Sequence, residues 1–441
     1  MVRTLTILIF FCFPVLAQAQ VWDSLESGVN APVYALHLES STNQLWVGGA
    51  FTTADQQNLP YLAKWNNNSW SSVGTPDDTV LAVLEVDDVP YLGGAFSQME
   101  GQAANGFAQR QGSNWAPIGN PLDGGTVRAL QSYNNGIVVA GDFTQVGGQN
   151  VNHIAFWDGS IWTPLGQGLN GPVKALAALN GNLYAAGDFT AASGVAVEGL
   201  ARWNGVQWEA VPGTNFGNQG GSIHDLEVWY GRLYAGGCFD TIDNQAAHNI
   251  ALFDGQGWFP LSAGTDDCVF ALEGLTELYV GGDFSTVDST MPAGRLAKWD
   301  GGQWTAGEGD FNGPIFTMEG NASQLYVAGD FSAVTSDRGT LPVNHITRLD
   351  FTTGIDRIPA ASGLRLFPNP ATTQVTLATP PTLTQFTILL TDLSGRLMST
   401  HFIQQPGTTT LSVAHLPNGV YLIHLMEDNV RQASGRLVVA R

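Results

Sequence analysis

Hydrophobic residues recur along the chain in short runs, separated by glycine, asparagine and aspartate. The clearest run is LYVGGDF at residues 278–284. Its closing aromatic returns through the chain at Phe51, Phe96, Phe143, Phe189, Phe239, Phe284 and Phe331. A nearly fixed spacing of about 46 residues indicates a repeat architecture with seven units.

Each repeat contains four of these runs. In the sixth repeat they begin at Val269, Leu278, Arg295 and Trp304. The runs are rich in β-branched and aromatic residues and end at turn residues, which predicts strands. No window sustains the 3.6-residue period of a helix. Asp158-Gly159 and its equivalents, between the third and fourth runs, predict type I′ hairpins.

Seven units of four antiparallel strands predict an all-β fold, a seven-bladed β-propeller over residues 20–351. The last repeat ends near Asp350 without its fourth run. The missing pattern, Trp22-Asp23-Ser24-Leu25, lies at the other end of the repeats. We therefore expect the N-terminal strand to be the outermost strand of the seventh blade and to close the ring, which removes exposed sheet edges.

A tryptophan follows the hairpin at a fixed distance in six repeats, at Trp70, Trp115, Trp162, Trp208, Trp258 and Trp304. Large aromatics at equivalent positions are expected to pack between neighbouring sheets. Stacking on carbohydrate is the alternative, but recurrence in every complete repeat favours packing.

The N-terminus has the pattern of a signal peptide over residues 1–19. Arg3 is followed by an apolar run at residues 5–16 and by the small-residue site Ala17-Gln18-Ala19. No later apolar run approaches ~18 residues, so we expect no transmembrane segment. The net charge of −21 makes nucleic acid and anionic membrane surfaces poor partners.

Composition changes after the repeats. Residues 21–351 hold 34 acidic and 10 basic residues, whereas residues 364–441 hold 3 and 5. This shift predicts a linker at residues 352–363 and a second domain at residues 364–441. Five short runs (374–377, 386–390, 409–413, 419–425 and 436–439) predict a small antiparallel Ig-like β-sandwich.

The repeats resemble a known architecture. LYVGGDF, GLARWNG (199–205) and GLNGPVKAL (168–176) are similar to extracellular bacterial propeller repeats. They also resemble the ectodomain of a fungal cortical polarity-marker family and, more loosely, kelch repeats. The resemblance covers about residues 21–351 and implies a fold without implying an activity.

The C-terminal domain resembles the sorting domain of type IX secretion cargo in Bacteroidota. The phrases LRLFPNP (364–370), LTDLSGRLM (390–398), LPNGVYLIHL (416–425) and a terminal GRLVVAR occur in that family's order. The motif residues carried over are Pro368, Asn369, Pro370, Gly395, Gly419 and Tyr421. The resemblance implies passage through the periplasm and the type IX machinery as partner, followed by release or attachment at the cell surface. An ordinary Ig-like module is the alternative.

Two cysteines, Cys238 and Cys268, remain outside the signal peptide. An even pair in an exported protein predicts a disulfide, and two separate buried thiols are the alternative. Their positions should lie toward the same end of adjacent blades.

No metal or cofactor site is predicted. His153, His248 and His345 recur at nearly equivalent positions, which favours a structural role. The aspartate of the opening phrase recurs at Asp142, Asp188, Asp283 and Asp330. Because Ala or Cys replaces it in three repeats, capping of backbone donors is favoured over a calcium site at the channel mouth. Asp77-Asp78, Asp87-Asp88 and Asp266-Asp267 are expected to be solvated loop tips.

No nucleophile elbow, zinc-protease motif or phosphate-binding loop is present in the sequence. The Asp-Gly hairpins also depart from the Asp box of sialidases. The sequence therefore favours a non-enzymatic binding or adhesion propeller for an extracellular ligand, a glycan or a protein. The alternative is a carbohydrate-active enzyme, a glycosidase or lyase, which requires two carboxylates at a set separation.

Overall fold

The computed structural model describes residues 21–118, 122–216, 221–351, 365–369, 371–378, 386–392, 396–403, 408–427 and 430–440. The predicted signal peptide and linker lie outside these residues. Every regular element in the described part of the chain is a β-strand, so the all-β prediction is confirmed. No described helix has the length and apolar character needed to span a membrane.

Residues 21–350 form seven four-stranded antiparallel sheets, numbered here along the chain with their strands given from the first to the outermost. Sheet 1 is Val33–Leu38, Leu45–Gly49, Leu62–Trp65, Trp70–Ser72; sheet 2 is Val80–Val86, Val89–Gly94, Phe107–Gln111, Asn114–Pro117; sheet 3 is Val127–Tyr133, Gly136–Gly141, Ile154–Trp157, Trp162–Pro164. Sheet 4 is Val173–Leu179, Asn182–Gly187, Leu200–Trp203, Trp208–Ala210; sheet 5 is Ser222–Trp229, Arg232–Cys238, Ile250–Phe253, Trp258–Pro260. Sheet 6 is Val269–Gly274, Leu278–Gly282, Leu296–Trp299, Trp304–Ala306; sheet 7 is Ile315–Gly320, Gln324–Gly329, Ile346–Asp350, Val21–Ser24.

The seven sheets surround a common axis. The first strand of each sheet contacts the first strand of the next, and the first strand of sheet 7 contacts that of sheet 1. The outermost strand of sheet 7 is the N-terminal strand, in which Trp22 lies opposite Leu349. The central opening lined by the seven first strands is called the channel below.

Glycine in the repeated phrase permits close approach of neighbouring sheets. A Cβ on Gly48 would lie 2.6 Å from Cγ1 of Val80 in the next sheet. A Cβ on Gly49 would lie 2.4 Å from the carbonyl oxygen of Pro32. Side chains larger than hydrogen are therefore excluded at both positions, because such contacts are far inside van der Waals distance.

The tryptophans pack between sheets, as predicted. Trp70, Trp115, Trp208 and Trp304 are buried, and each indole N–H donates to a carbonyl just beyond the outermost strand of the preceding sheet. Trp22 does the same toward Glu308, which follows sheet 6. Sheet 7 is thus joined to its neighbour by the contact that sheets 1, 2, 4 and 6 use.

Two features of the repeats differ from expectation. The hairpin at Asp158 is not type I′, since four residues separate the paired Trp157 and Trp162. Gly159 has a φ of 97°, and the Asp158 carboxylate accepts N–H bonds from Ser160 and Ile161.

In addition, a short hairpin lies between the second and third strands of each sheet. Its strands are Thr53–Ala54/Gln57–Asn58, Gln98–Met99/Gln102–Ala103, Gln145–Val146/Gln149–Asn150, Ala191–Ala192/Val195–Ala196, Thr241–Ile242/Gln245–Ala246, Thr286–Val287/Met291–Pro292 and Ala333–Ser336/Gly339–Pro342, the last joined by Asp310–Phe311.

The C-terminal residues form two further sheets. One has the strand order Arg365–Phe367, Gln374–Ala378, Thr408–Ser412; the other has Leu397–Ile403, Phe386–Asp392, Gly419–Glu427, Val430–Val439. Seven strands are present where the sequence predicted five, because 365–367 and 397–403 also pair. Tyr421, Ile423 and Leu425 alternate along one strand and share one buried core.

The C-terminal domain contacts sheets 5 and 6. Leu389 and Met426 join the apolar cluster around Trp229 and Trp299. The ring of His424 lies 4.7 Å from that of Tyr230, edge to face. His424 is consequently buried, although it lies on the strand face opposite Tyr421.

Candidate functional site

Every first strand carries a β-bulge at the same position, immediately after its opening Val or Ile. A bulge re-aims the side chain of the extra residue, whereas the residues on either side keep their places in the sheet. The seven extra residues lie at the same end of the channel and are called the mouth ring. They are Tyr34, Leu81, Arg128, Lys174, His224, Phe270 and Phe316.

One side of the mouth ring is a continuous aromatic arc. The Tyr34 and Phe316 rings are stacked with centroids 5.5 Å apart. Phe316 contacts Phe270 at 5.7 Å, and Phe270 contacts His224 at 5.3 Å, both edge to face. All four side chains remain partly exposed. Consecutive sheets therefore present a connected apolar surface at the opening.

The other side of the mouth ring is cationic. Arg128 forms a two-point ion pair with Asp142, with Nε–Oδ1 and Nη2–Oδ2 distances of 2.9 and 2.8 Å. The hydrogen bonds that Arg128 donates to this carboxylate raise the pKa of Arg128, so the guanidinium stays charged. The Arg128 side chain is 42% exposed and available at the opening.

Lys174 extends the cationic side into the next sheets. Its Nζ lies 2.8 Å from Oδ1 of Asp188 and 2.9 Å from Oγ of Ser222. Burial opposes ionisation of Asp188, but the hydrogen bonds from Lys174 and Ser222 hold its pKa below the usual range. Arg128 and Lys174 are thus both held in place by ion pairs with aspartates.

His224 lies between the two sides and next to the disulfide. Burial, with help from the Lys174 charge, lowers its pKa to about 4, so the ring is neutral at pH 7. Its Nε2 lies 3.4 Å from Sγ of Cys238. The predicted bond between Cys238 and Cys268 is present and joins sheet 5 to the segment that enters sheet 6. The covalent link therefore lies beside the mouth ring.

The recurring aspartates do not act as predicted. Asp142, Asp188 and Asp283 pair with Arg128, Lys174 and Arg295, and Asp330 lies 3.5 Å from His345. The partners described for their carboxylates are basic side chains, together with the Ser222 hydroxyl at Asp188, rather than backbone N–H groups. The capping interpretation was wrong because the sequence placed these aspartates without showing the basic residues opposite them. No group of three metal-ligating side chains occurs within the described ranges.

Backbone capping is performed by a different set of side chains. Asp77 and Asp266, expected to be solvated loop tips, each accept two backbone N–H bonds from the following hairpin. Asn30, Asp123, Asn170 and Asn312 do the same in their repeats. These Asp and Asn side chains fix the short hairpins of their repeats.

Further along the channel, carboxyls link neighbouring first strands. Glu273 accepts the Gly320 N–H at 3.0 Å, and Glu319 accepts the Leu38 N–H at 3.1 Å. Glu227 accepts a bond from Gly274 in the same way. These three residues, called the carboxyl ladder, occupy equivalent positions in sheets 5 to 7. Asp225, two residues before Glu227, accepts the Leu272 N–H at 2.8 Å.

Loss of hydration raises the pKa of these four carboxyls. The pKa of Glu227 rises to about 8, that of Glu319 to about 7 and that of Asp225 to about 6, and Glu273 also shifts well upward. Mutual repulsion adds to burial at Glu227 and Glu273. The side chains keep a little accessible surface along the axis, but the strands around them exclude most water.

Two other predicted positions have structural roles. His153 and His345 place Nδ1 within 3.2 and 3.3 Å of the carbonyls of Gly141 and Gly329, at the end of a second strand. A cavity of about 460 Å³ lies away from the channel, between sheet 6 and the hairpin of sheet 7, and is lined by Glu308, Asp310 and Asp337. The Glu308 carboxylate is paired with Lys298, and the Glu308 carbonyl accepts the Trp22 N–H. The described lining of this acidic cavity does not combine basic and aromatic side chains as the mouth ring does.

The sorting-motif residues serve the C-terminal sheets where they are described. Asn369 Oδ1 accepts the Val438 N–H at 2.8 Å, and the Tyr421 hydroxyl donates to the Pro417 carbonyl at 2.9 Å. Pro368 follows a cis peptide bond, and Gly419 begins a strand. Pro370 and Gly395 lie outside the described residues.

The mouth ring was missed from the sequence, although a signal was present. The openings of the first strands read VYAL, VLAV, VRAL, VKAL, IHDL, VFAL and IFTM. The first letter is always Val or Ile, whereas the second changes its chemistry from one repeat to the next. A variable position inside a fixed framework indicates freedom from packing.

Comparison with known proteins supports export and the propeller fold. Residues 365–440 match the family "Secretion system C-terminal sorting domain", which confirms the resemblance seen in the sequence. Residues 134–155 match "Domain of unknown function (DUF5122) beta-propeller". The fold is thus an all-β propeller of four-stranded sheets, followed by a sorting domain for secretion.

Solved structures show weaker likeness. The WD40 β-propeller domain of Doa1 has a TM-score of 0.46 and 13% identity, covering 77% of this chain and 98% of that one. The extracellular domain of BT4673 from B. thetaiotaomicron has a TM-score of 0.31 and 10% identity, covering 96% of both chains. No curated protein matches the chain.

Proposed function

We propose that the protein is an exported, non-enzymatic binding or adhesion propeller that holds an extracellular ligand at its mouth ring. The observation that carries this proposal is the mouth ring itself. One position per sheet varies between aromatic, basic and aliphatic, and neighbouring members contact one another across sheets. Binding sites in repeat folds arise in this way, from variable side chains on a constant framework.

The proposed organisation follows the sequence boundaries. A signal peptide at residues 1–19 directs the chain to the periplasm. Residues 20–351 form a seven-bladed propeller closed by the N-terminal strand, and a linker at 352–363 leads to an Ig-like sorting domain at 364–441. The type IX secretion machinery recognises the sorting domain, and the propeller is displayed at the cell surface or released.

A carbohydrate-active enzyme is the second candidate. Its supporting observation is the group of enclosed carboxyls with raised pKa values, since such groups often act as general acids. The carboxyl ladder nevertheless bonds to backbone N–H groups of neighbouring strands, an arrangement that stabilises the ring. Binding without turnover is therefore favoured.

The experiment combines retention with turnover. The mature chain is applied to a glycan array and to immobilised extracellular proteins, and is incubated with a panel of polysaccharides while new reducing ends or unsaturated products are measured. We expect retention of a ligand and no products. Product formation abolished by Asp225→Asn or Glu227→Gln would overturn the binding-only proposal.

A further inference from the structure

The mouth ring has two chemically different sides that face one opening. Phe270, Phe316 and Tyr34 supply aromatic surface from three successive sheets, and Leu81 follows them. Arg128 and Lys174 supply two adjacent cations from the next two sheets. A ligand that spans the opening therefore meets apolar surface on one side and, on the other, two basic side chains that are ion-paired with Asp142 and Asp188.

Both cations retain hydrogen-bonding capacity toward a ligand. A guanidinium has five N–H donors, and Arg128 uses two of them on Asp142. An ammonium has three donors, and Lys174 uses two, on Asp188 and Ser222. The acidic partners hold both side chains in place, which reduces the conformational entropy lost when a ligand binds.

On the basis of the binding function proposed above, we propose that the ligand is a glycan that carries carboxylates. The apolar face of a sugar ring would pack on Phe316 and Tyr34, while its carboxylate accepts hydrogen bonds from Arg128 and Lys174. Aromatic walls with a few convergent polar groups are typical of small-ligand sites. Charge-assisted bonds to arginine and lysine favour a carboxylate over an uncharged oxygen.

The acidic surface of the protein does not prevent this recognition. Charges more than about 8 Å from the site are largely screened at physiological ionic strength, and the nearest aspartates, Asp142 and Asp188, are already paired with Arg128 and Lys174. A cationic ligand would also find aromatic surface here. However, the N–H donors that Arg128 and Lys174 do not use on these partners bond to an acceptor such as a carboxylate and not to a cation.

The test compares acidic polysaccharides with their own methyl esters. Polygalacturonate, alginate and hyaluronan are each titrated into the mature full-length chain beside their fully methyl-esterified forms, and dissociation constants are measured by calorimetry. Esterification removes the charge while preserving the sugar backbone. We expect at least one acidic polymer to bind about tenfold or more tightly than its ester, the preference typical of charged hydrogen bonds.

Variants assign the preference to the mouth ring. Arg128→Gln combined with Lys174→Gln should remove the preference while the ester still binds. Arg128→Lys combined with Lys174→Arg should retain the preference, and Phe316→Ala should weaken binding of both forms. Arg338→Gln, a cation removed at the hairpin of sheet 7, is the control for total charge and should leave the preference unchanged.

The two proposals fail in different ways. Equal binding of acid and ester, tighter binding of the ester, or binding of chitosan but of no acidic polymer would overturn the acidic-glycan proposal and leave the binding function intact. Binding of no glycan and of no protein would overturn both. The wild-type comparison needs no variant, so a variant that fails to fold leaves the test decisive.

Discussion

The indole N–H of Trp22 donates to the carbonyl of Glu308 at 3.0 Å, although the two residues are 286 positions apart. Trp22 also packs edge to face on Phe311 with centroids 5.2 Å apart. We expect Trp22→Ala to lower the free energy of unfolding by about 3–5 kcal/mol, because both the packed ring and the inter-sheet bond are lost. Urea denaturation followed by fluorescence measures the change.

Two controls separate closure from general damage. Trp22→Phe keeps an aromatic ring and removes the N–H donor, so a smaller loss of about 1–2 kcal/mol is expected. Val206→Ala changes a residue that is 81% exposed and should alter stability by less than about 0.5 kcal/mol. Deletion of residues 22–27 with an unchanged midpoint would contradict the closed ring.

The disulfide should stabilise the mouth end of the ring. Cys238 and Cys268 enclose a sequence separation of 30 residues, for which the chain-entropy model gives about 3–4 kcal/mol. Cys238→Ser combined with Cys268→Ser should lower the denaturation midpoint, and a reducing agent should lower it for the wild type only. Peptide mapping under non-reducing conditions that recovers two free thiols would refute the bond.

The carboxyl ladder predicts a loss of stability as the pH rises from about 4.5 to about 8. Glu227, with a pKa near 8 in the fold against 4.5 as its reference, holds its proton over a range in which the unfolded chain has released it. This contribution is complete below about pH 4.5 and is lost as pH rises through the raised pKa, at about 1.4 kcal/mol per pH unit for each retained proton. Glu319, with a pKa near 7, acts in the same direction.

Denaturation at pH 5, 7 and 9 tests the ladder. Asp225 and the ladder members act on one another through their charges, and a second set of titratable groups, His37, Glu39, Glu85 and Lys64, interacts in sheets 1 and 2. Glu227→Gln combined with Glu319→Gln should flatten the fall between pH 5 and 9 relative to wild type. Glu26→Gln, at an exposed position, should leave the slope unchanged. An identical pH profile in the ladder variant would show that these carboxyls ionise normally.

The sorting domain predicts a defined export defect. A chain ending at residue 363 should accumulate in the periplasm of a type IX-competent host, whereas the full chain reaches the surface or the medium. Fractionation and immunoblotting measure the distribution. Arg338→Gln in the full chain is a matched expression control, and extracellular appearance of the truncated chain would contradict the prediction.

The repeated framework could be predicted from the sequence because its residues are fixed by packing. Gly48 and Trp70 recur as equivalents in other repeats because each sheet must approach the next closely. The residues of the mouth ring vary instead. Arg128 and Phe316 occupy equivalent positions in their sheets, but one is basic and the other is aromatic. The β-bulge that places these residues at one opening does not change the spacing of the repeats. The site could therefore be recognised only from three-dimensional contacts.

The short elements were missed for a different reason. Thr53–Ala54 and its equivalents are too brief for an alternating pattern to emerge. The carboxyl ladder was also hidden, because Glu227, Glu273 and Glu319 are three among 34 acids of the repeats. Only their shared position on the first strands shows that they bond to the neighbouring sheet.

Closure by Val21–Ser24 also sets the order in which this chain can mature. The strand that completes sheet 7 emerges first, yet its partner, Ile346–Asp350, is synthesised last. Until both are present, sheet 7 keeps an open edge that can pair with other chains. Contacts of such long sequence separation form slowly. A newly synthesised chain is therefore at risk of aggregation until its last repeat is complete.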